Sequence, residues 1–254
     1  MTAHVPRKRF GQHFRVDDGV IGGIVDAIAP HRGEALVEIG PGLGALTDAL
    51  LAAGARLTVI ELDRDLAARW RRDGRVEVVE ADVLTVDFGV LPQPLRVVGN
   101  LPYNISTPIL FHLLRWADRV SDQHFMLQKE VVERMAAGPG SKVYGRLSVM
   151  LQAYCNVTPL FVVPPGAFRP APKVDSAVVR LVPKPAESIL VADRRVFANV
   201  VRAAFGQRRK TLRNALNGVA DVAAIEAAGL RADARAEQVE VAGFVRLANL
   251  LAQG

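Results

Sequence analysis

The sequence contains very little cysteine. Among its 254 residues, Cys155 is the one thiol. A single cysteine excludes an internal disulfide, a four-cysteine zinc site, an iron–sulfur cluster and the three-cysteine set of radical enzymes. Several classes of metal and redox enzymes are thereby ruled out.

Long apolar runs are also missing. No stretch approaches the roughly 20 residues of a membrane span, and the opening MTAHVPRKRF has no apolar segment behind its charges. We therefore expect no membrane association and a cytoplasmic location. With 50% hydrophobic and 23% charged residues, the composition suits one or two globular domains with a real core.

Acidic residues are absent from two basic segments. Residues 1–16 contain four basic and no acidic residues, and residues 194–220 contain seven basic and no acidic residues. Because the net charge is only +6, the rest of the chain is net acidic. This distribution is typical of a protein that holds a polyanion at its edges, although a basic run can equally be a solvated surface.

Apolar runs alternate with longer amphipathic segments between Leu36 and Val182, which indicates an α/β fold. Five runs predict parallel strands, and they end at Gly40, Glu61, Ala81, Asn100 and Gln128. Two later runs, NVTPLFVVP and VDSAVVRLVP, are joined by a proline-rich loop that is too short for a helical crossover, so they predict an antiparallel pair. The pattern predicts a Rossmann-like, doubly wound sheet of the methyltransferase type.

Pro183 and Pro185 mark the end of the last predicted strand, and helical spacing dominates beyond them. We predict an α/β domain with a basic N-terminal arm over residues 1–185 and a small all-helical domain over residues 186–254. An earlier helix is expected over Val20–Ala29. The first helix of the second domain should bury Phe197, Val200, Val201 and Ala204.

The segment EIGPGLG places Gly40, Gly42 and Gly44 between a predicted strand and a helix. Missing side chains there let a ligand approach the backbone, but such glycines also serve simple turns, and dinucleotides use a similar loop. Glu38 distinguishes a dinucleotide from a cationic ligand, because a carboxylate would repel a pyrophosphate and attract a cation. It favours S-adenosylmethionine, with its sulfonium and ammonium groups, over NAD.

Acidic residues also end the next two predicted strands. Glu61 can accept hydrogen bonds from both ribose hydroxyls of an adenosine, a feature that NAD enzymes share. Asp82 can reach the adenine amino group, and it is equally well interpreted as a helix-capping aspartate. The five histidines show no ligand spacing, so no metal site is predicted.

Asn100, Leu101, Pro102 and Tyr103 follow the fourth predicted strand as candidate catalytic residues. The Asn100 side-chain oxygen and the Leu101 carbonyl can accept the two hydrogens of a nucleobase amine, which makes its lone pair available to a methyl donor. Pro102 would fix the turn, and Tyr103 would stack on the base, with Phe168 as a second stacking face. The alternative is a loop with a core tyrosine.

Several segments carry a family resemblance that extends essentially from end to end, namely RFGQHF, EIGPGLG, GNLPYNIST, LQKEV, YGRLSVM, APKVDSAVVRL and FGQRRKTLRN. In them the chain resembles the KsgA-type small-subunit (16S) rRNA adenine N6,N6-dimethyltransferases. The resemblance implies dimethylation of two adjacent adenines in the 3′-terminal hairpin of 16S rRNA, on an assembling small subunit. We expect a monomer.

The resemblance also implies cofactor contacts at His13, Arg15, Gly40, Glu61, Asp82 and Asn100. The family usually has leucine in place of Arg15 and asparagine in place of His13. A backbone contact at position 15 would survive this change; the alternative is that the arginine side chain reaches RNA instead. The phosphates of the rRNA would be held by Arg208, Arg209, Lys210 and Arg213.

Two alternatives stay open from the sequence. A resistance-type methyltransferase of 23S rRNA shares the glycine loop and the Asn-Leu-Pro-Tyr segment, although the helical C-terminal region favours the small subunit. An assembly factor that mainly binds and checks the immature subunit would carry out catalysis as a secondary role.

Overall fold

A computed structural model describes residues 15–207 and 209–253 of the chain. Its strands are β1 (Arg15–Val16), β2 (Ala35–Ile39), β3 (Arg56–Glu61), β4 (Glu77–Glu80), β5 (Leu95–Asn100), β6 (Val120–Gln128), β7 (Cys155–Val163), β8 (Phe168–Arg169) and β9 (Ser176–Pro183). Its α-helices are α1 (Asp18–Ile28), α2 (Ala45–Ala52), α3 (Arg64–Asp73), α4 (Ser106–Leu113), α5 (Lys129–Ala136), α6 (Arg146–Gln152), α7 (Arg194–Gly206), α8 (Leu212–Ala215), α9 (Val222–Ala227) and α10 (Val241–Leu251). None of the helices in the described residues is long and apolar enough to cross a membrane.

The main sheet has the strand order β4, β3, β2, β5, β6, β9, β7. The strands from β4 to β6 in this order are parallel, whereas β9 runs antiparallel to β6. β2 lies between β3 and β5, with Val37 opposite Thr58 on one side and Val97 on the other. The prediction of a Rossmann-like α/β sheet with five parallel strands is confirmed.

The order of the strands creates a crevice at one edge of the sheet. The chain winds outward from β2 through β3 to β4 and then returns to the other side of β2 to form β5. Ligands of open α/β sheets bind at such a reversal, outside the carboxyl ends of the strands. The residues that follow β2 and β5 are therefore the first place to look for a site.

Local sequence explains the elements around this edge. The central strands are almost continuously apolar because both of their faces are covered, and Val59, Val97 and Val98 are fully buried. The helix predicted near Val20 is confirmed as α1. It begins at Asp18 because the Asp17 carboxylate accepts hydrogen bonds from the first free N–H groups of the helix, at 2.9 and 3.3 Å.

The chain forms two compact units. The first contains the residues up to Val132 together with Thr158–Pro183, and the second contains Glu133–Val157 and the residues from Lys184 onward. The predicted domain boundary, between residues 185 and 186, lies two residues after the division between Pro183 and Lys184. Glu133–Val157, which falls within the first predicted domain, groups with the helical unit.

The second unit contains helices α6 to α10. The predicted buried face of α7 is present, with Phe197, Val200, Val201 and Ala204 at most 1% exposed. The Tyr144 hydroxyl donates a 2.8 Å hydrogen bond to the backbone carbonyl of Val239 and so links two segments of this unit. The second unit therefore has a core of its own.

Candidate active site

The carboxyl ends of the parallel strands surround a cavity of about 320 Å³. Segments that follow β2, β3, β4 and β5 all contribute to its wall. Among the residues predicted from the sequence, the wall contains Glu38, Gly40, Gly42, Gly44, Glu61, Asp82, Asn100, Leu101 and Pro102. Residues predicted from four separate stretches of sequence therefore meet at one place.

The loop between β2 and α2 presents backbone to the cavity. Gly40, Gly42 and Gly44 have φ angles of 68°, 55° and 102°, a region of conformational space that favours glycine. The Gly40 N–H donates to the Ile60 carbonyl at 2.9 Å, which ties the start of the loop to β3. Gly44 is the N-cap residue of α2. The loop thus runs from a strand end to a helix start with little side-chain bulk.

Glu38 lines this cavity although it is only 1% exposed. Its Oε2 accepts a 2.7 Å hydrogen bond from the hydroxyl of Thr47. Burial raises the pKa of Glu38 to about 8; the Thr47 hydrogen bond opposes this rise, and the charges of Asp48 and Glu61 contribute to it. A positive group in the cavity would stabilise the ionised carboxylate. The environment of Glu38 therefore suits a cationic ligand.

Glu61, the last residue of β3, accepts hydrogen bonds from two backbone N–H groups, one in the glycine loop and one just after β3. Its Oε1 accepts from the Asp63 N–H at 2.9 Å, and its Oε2 accepts from the Gly42 N–H at 3.4 Å. Burial raises its pKa, whereas these backbone hydrogen bonds lower it. Each carboxylate oxygen has a second lone pair. Glu61 therefore retains the capacity to accept the predicted ribose hydroxyls.

Asp82 follows β4 and lines the cavity from an exposed position. Its carboxylate accepts the Leu84 N–H at 2.9 Å and caps the short helical turn Val83–Thr85. The capping interpretation therefore describes a contact that is present. The contact between Asp82 and an adenine amino group stays a prediction.

The segment after β5 brings the two predicted amine acceptors to the cavity wall. Asn100 and Leu101 both line the cavity, and the Leu101 N–H donates to the Met126 carbonyl at 3.1 Å. A hydrogen bond of 3.2 Å from the Ile105 N–H to the Pro102 carbonyl closes the following turn. Among the residues that the structure describes, none forms a hydrogen bond with the Asn100 side chain. Within the part of the chain that the structure describes, no donor therefore competes with a ligand for its amide oxygen.

Tyr103 lies next to this segment but outside the lining of the cavity. Its hydroxyl forms a 2.6 Å hydrogen bond with the Ser176 hydroxyl, and its carbonyl accepts from the Ser106 hydroxyl at 3.3 Å. Burial raises the pKa of Tyr103, and the Ser176 hydrogen bond lowers it. The ring is half-buried and anchored at its hydroxyl. Its stacking on a base stays a prediction.

Phe168 is a core residue in this structure. It is fully buried and lies in β8 opposite Val16 of the antiparallel strand β1. It belongs to the hydrophobic core cluster that also contains Ile24 and Met126. The ring is therefore covered by core residues, and its predicted stacking on a base would require it to leave this position.

Three of the basic residues predicted to hold rRNA phosphates lie in the second unit and are open to solvent. Arg209, Lys210 and Arg213 are exposed. Near the other end of the chain, the backbone of Arg15 pairs with Arg169 in the β1–β8 ladder. Two predicted site residues lie outside the described residues, namely His13 and Arg208. Roles for these basic residues stay predictions.

Some residues that shape the site were not predicted. Gly99 lines the cavity, and a Cβ atom there would lie 2.6 Å from the Ile39 carbonyl oxygen, so the close approach of β5 to β2 requires glycine. Its place beside Asn100 at a strand end was an available signal. No such sequence signal marks Thr47 and Trp70, because they lie on α2 and α3 and reach the site only through tertiary packing. No group of three His, Cys, Asp or Glu residues within 15–207 and 209–253 is arranged to hold a metal ion.

Comparison of the sequence with known families and proteins gives one consistent result. The family model described as ribosomal RNA adenine dimethylase matches residues 3–253. The ribosomal RNA small subunit methyltransferase A of Xanthomonas campestris pv. campestris (strain B100) is 64% identical over 250 residues, which cover 96% of this chain and 95% of that protein. The protein of the same name from Xanthomonas axonopodis pv. citri (strain 306) is 63% identical, with the same coverage.

Two solved structures resemble the chain over most of its length. A dimethyladenosine transferase from Plasmodium falciparum has a TM-score of 0.78 at 28% identity, covering 92% of this chain and 96% of that one. The 23S rRNA methyltransferase ErmE has a TM-score of 0.67 at 27% identity, covering 94% of this chain and 100% of that one. Both similarities therefore include the helical region as well as the sheet.

Proposed function

The chain belongs to the ribosomal RNA adenine dimethylase family, and we propose that it dimethylates N6 of two adjacent adenines in the 3′-terminal hairpin of 16S rRNA. Its methyl donor is S-adenosylmethionine, which supplies an electrophilic methyl group when bound. One observation supports the proposal most directly. The glycine loop, the buried carboxyl groups of Glu38 and Glu61 and the amine acceptors at Asn100 and Leu101 line a single cavity.

The cavity fits this methyl donor in charge and in the atoms that it offers. Burial disfavours ionisation of Glu38, and a cationic ligand would compensate for that cost. Glu61 would bind the ribose hydroxyls, and Asp82 would bind the adenine amino group. His13 and Arg15 would complete the contacts, as the family resemblance implies.

The target amine would be oriented by two oxygen atoms. The Asn100 side chain and the Leu101 carbonyl would each accept one of its hydrogens, which directs the nitrogen lone pair into the cavity. Pro102 holds the turn, and stacking of the base on Tyr103 would contribute about 1–3 kcal/mol. No strong base is required, because the methylated ammonium is acidic enough to lose a proton to water.

The adenine must be unstacked before it can reach these atoms, since its amine edge is inaccessible inside a helix. Exposed Arg209, Lys210 and Arg213 would hold the phosphates of the flanking rRNA, with residues 1–16 as a second basic segment. Residues 186–254 would accordingly form the RNA-binding domain. We place this activity on assembling small subunits in the cytoplasm, with the protein acting as a monomer.

The decisive experiment is incubation of unmethylated small subunits with labelled S-adenosylmethionine, followed by mapping of the modified nucleosides. We expect dimethyladenosine at two adjacent adenines of the 3′-terminal hairpin, and no label in large subunits treated in parallel. Label confined to large-subunit rRNA would instead indicate that this protein is a 23S rRNA methyltransferase, the activity stated in the name of ErmE.

A second experiment addresses the assembly-factor alternative. Ribosome assembly would be compared in cells that lack the protein and in cells that carry Asn100→Ala. If methyl transfer is the main role, both strains should accumulate the same immature particles. Normal assembly in the Asn100→Ala strain would make binding of the subunit the main role.

A further inference from the structure

Trp70 holds the middle of the glycine loop from outside the cavity. Its indole Nε1–H donates a 3.1 Å hydrogen bond to the Gly42 carbonyl. The N–H of the same glycine donates to Glu61 at 3.4 Å. Both polar backbone atoms of Gly42 are therefore fixed by side chains, one from α3 and the other from β3.

The Trp70 indole also fills the space beside Gly44. A Cβ atom at Gly44 would lie 2.6 Å from Cη2 and 2.7 Å from Cζ2 of the indole. Trp70 is 1% exposed, and the Arg69 guanidinium lies 5.6 Å from the ring centroid. Since a packed interior has little free space, a smaller or displaced ring would leave the loop without support at two of its three glycines.

We propose that Trp70 is a positioning residue for the methyl donor. By fixing the Gly42 carbonyl and the path of the chain at Gly44, it sets the orientation of the loop that lines the cofactor cavity. The proposal rests on the proposed function, because it requires this cavity to bind S-adenosylmethionine. Trp70 acts through the loop and not by contact with the cofactor.

The test measures S-adenosylmethionine binding by calorimetry in the absence of RNA, for the wild type, Trp70→Phe and Trp116→Phe. Phenylalanine keeps an aromatic ring at position 70 and removes the N–H donor. Trp116 packs against Phe88 and His112, with ring centroids 5.5 and 4.9 Å away, and provides a matched loss of an indole. We expect Trp70→Phe to bind about threefold to tenfold more weakly, the range for loss of one hydrogen bond, and Trp116→Phe to bind like the wild type.

Unchanged affinity in Trp70→Phe, or equal loss in both variants, would overturn the proposal. A second measurement avoids any substitution at Trp70. The sequence has two tryptophans, so Trp116→Phe leaves Trp70 as the sole fluorophore of its kind. Its emission should change on saturation with S-adenosylmethionine, because the indole packs against the loop that lines the cavity. Constant emission would mean that this loop takes no part in binding and would overturn the proposal.

The binding measurements on the wild type and on Trp70→Phe also separate this proposal from the proposed function. A wild type that binds S-adenosylmethionine, together with an equally tight Trp70→Phe variant, would refute the role of Trp70 alone. Absence of binding by the wild type would refute the assignment of the cavity and the role of Trp70 with it.

Discussion

Glu38→Gln is expected to remove a large pH dependence from the stability of the first unit. Burial raises the pKa of Glu38 to about 8, from an ordinary value of 4.5. Between these values the folded state keeps a proton that the unfolded state has lost, so the free energy of unfolding falls as the pH rises. Because one pKa unit corresponds to about 1.4 kcal/mol, this loss is about 3 kcal/mol between pH 4.5 and 7.

Glutamine has the shape of the protonated carboxyl group and can still accept the Thr47 hydrogen bond, but it does not ionise. The variant should therefore gain about 3 kcal/mol relative to the wild type from pH 4.5 to 7, and about 4 kcal/mol by pH 9. The gain should stop near pH 8, where the buried carboxyl group itself ionises.

Urea unfolding followed by tryptophan fluorescence measures this effect in the relevant part of the molecule. Trp70 and Trp116 both lie in the first unit, as Glu38 does. Glu226→Gln removes an exposed carboxylate from the second unit and serves as the control. Parallel pH profiles for Glu38→Gln and the wild type would refute the reasoning, since they would mean that water or a fixed cation keeps Glu38 ionised.

Three further predictions address catalysis, RNA binding and the sheet. Asn100→Ala should lower methyl transfer to rRNA by at least about 100-fold, the cost of losing one polar group aimed at the reacting centre. RNA affinity in a filter-binding assay should be retained, and normal turnover would remove Asn100 from the mechanism. Replacing Arg209, Lys210 and Arg213 by alanine should reduce the slope of log affinity against log salt by about 0.7 to 0.9 for each phosphate that is no longer neutralised, and an unchanged slope would place these residues away from RNA. Gly99→Ala should destabilise the protein by about 1–3 kcal/mol through overpacking, since its Cβ would lie 2.6 Å from a backbone oxygen of β2; an unchanged urea midpoint would show that the strands can separate freely.

The strands of the sheet could be predicted because their signals are local. Buried parallel strands are continuously apolar, and a polar residue at the end of such a run marks the point where the chain leaves the sheet. Glu61 and Asn100 end β3 and β5 as predicted. The carboxyl ends of parallel strands share one edge, so residues from separate runs can be assigned to a common cavity from the order of the runs alone.

Other features depend on contacts between distant segments and left no local signal. Phe168 lies in the proline-rich loop of the sequence, and nothing there indicates that it pairs with Val16 across the β1–β8 ladder and belongs to the core. Trp70 has the helical spacing of a core residue, and nothing near it in sequence indicates its hydrogen bond to the glycine loop. Glu133–Val157 likewise groups with helices that begin only after Lys184.

The distance between the glycine loop and the proposed amine acceptors is set by backbone contact. Gly99 approaches the Ile39 carbonyl so closely that no side chain fits between β5 and β2. The residues that follow these two positions are Asn100 and Gly40, so the acceptor and the loop leave the sheet from adjacent points. A methyl donor held by the loop and an amine held by Asn100 would then be brought together by the spacing of two parallel strands, which side-chain motion changes little. For this reason a substitution at Gly99 should impair methyl transfer more than its effect on S-adenosylmethionine affinity accounts for.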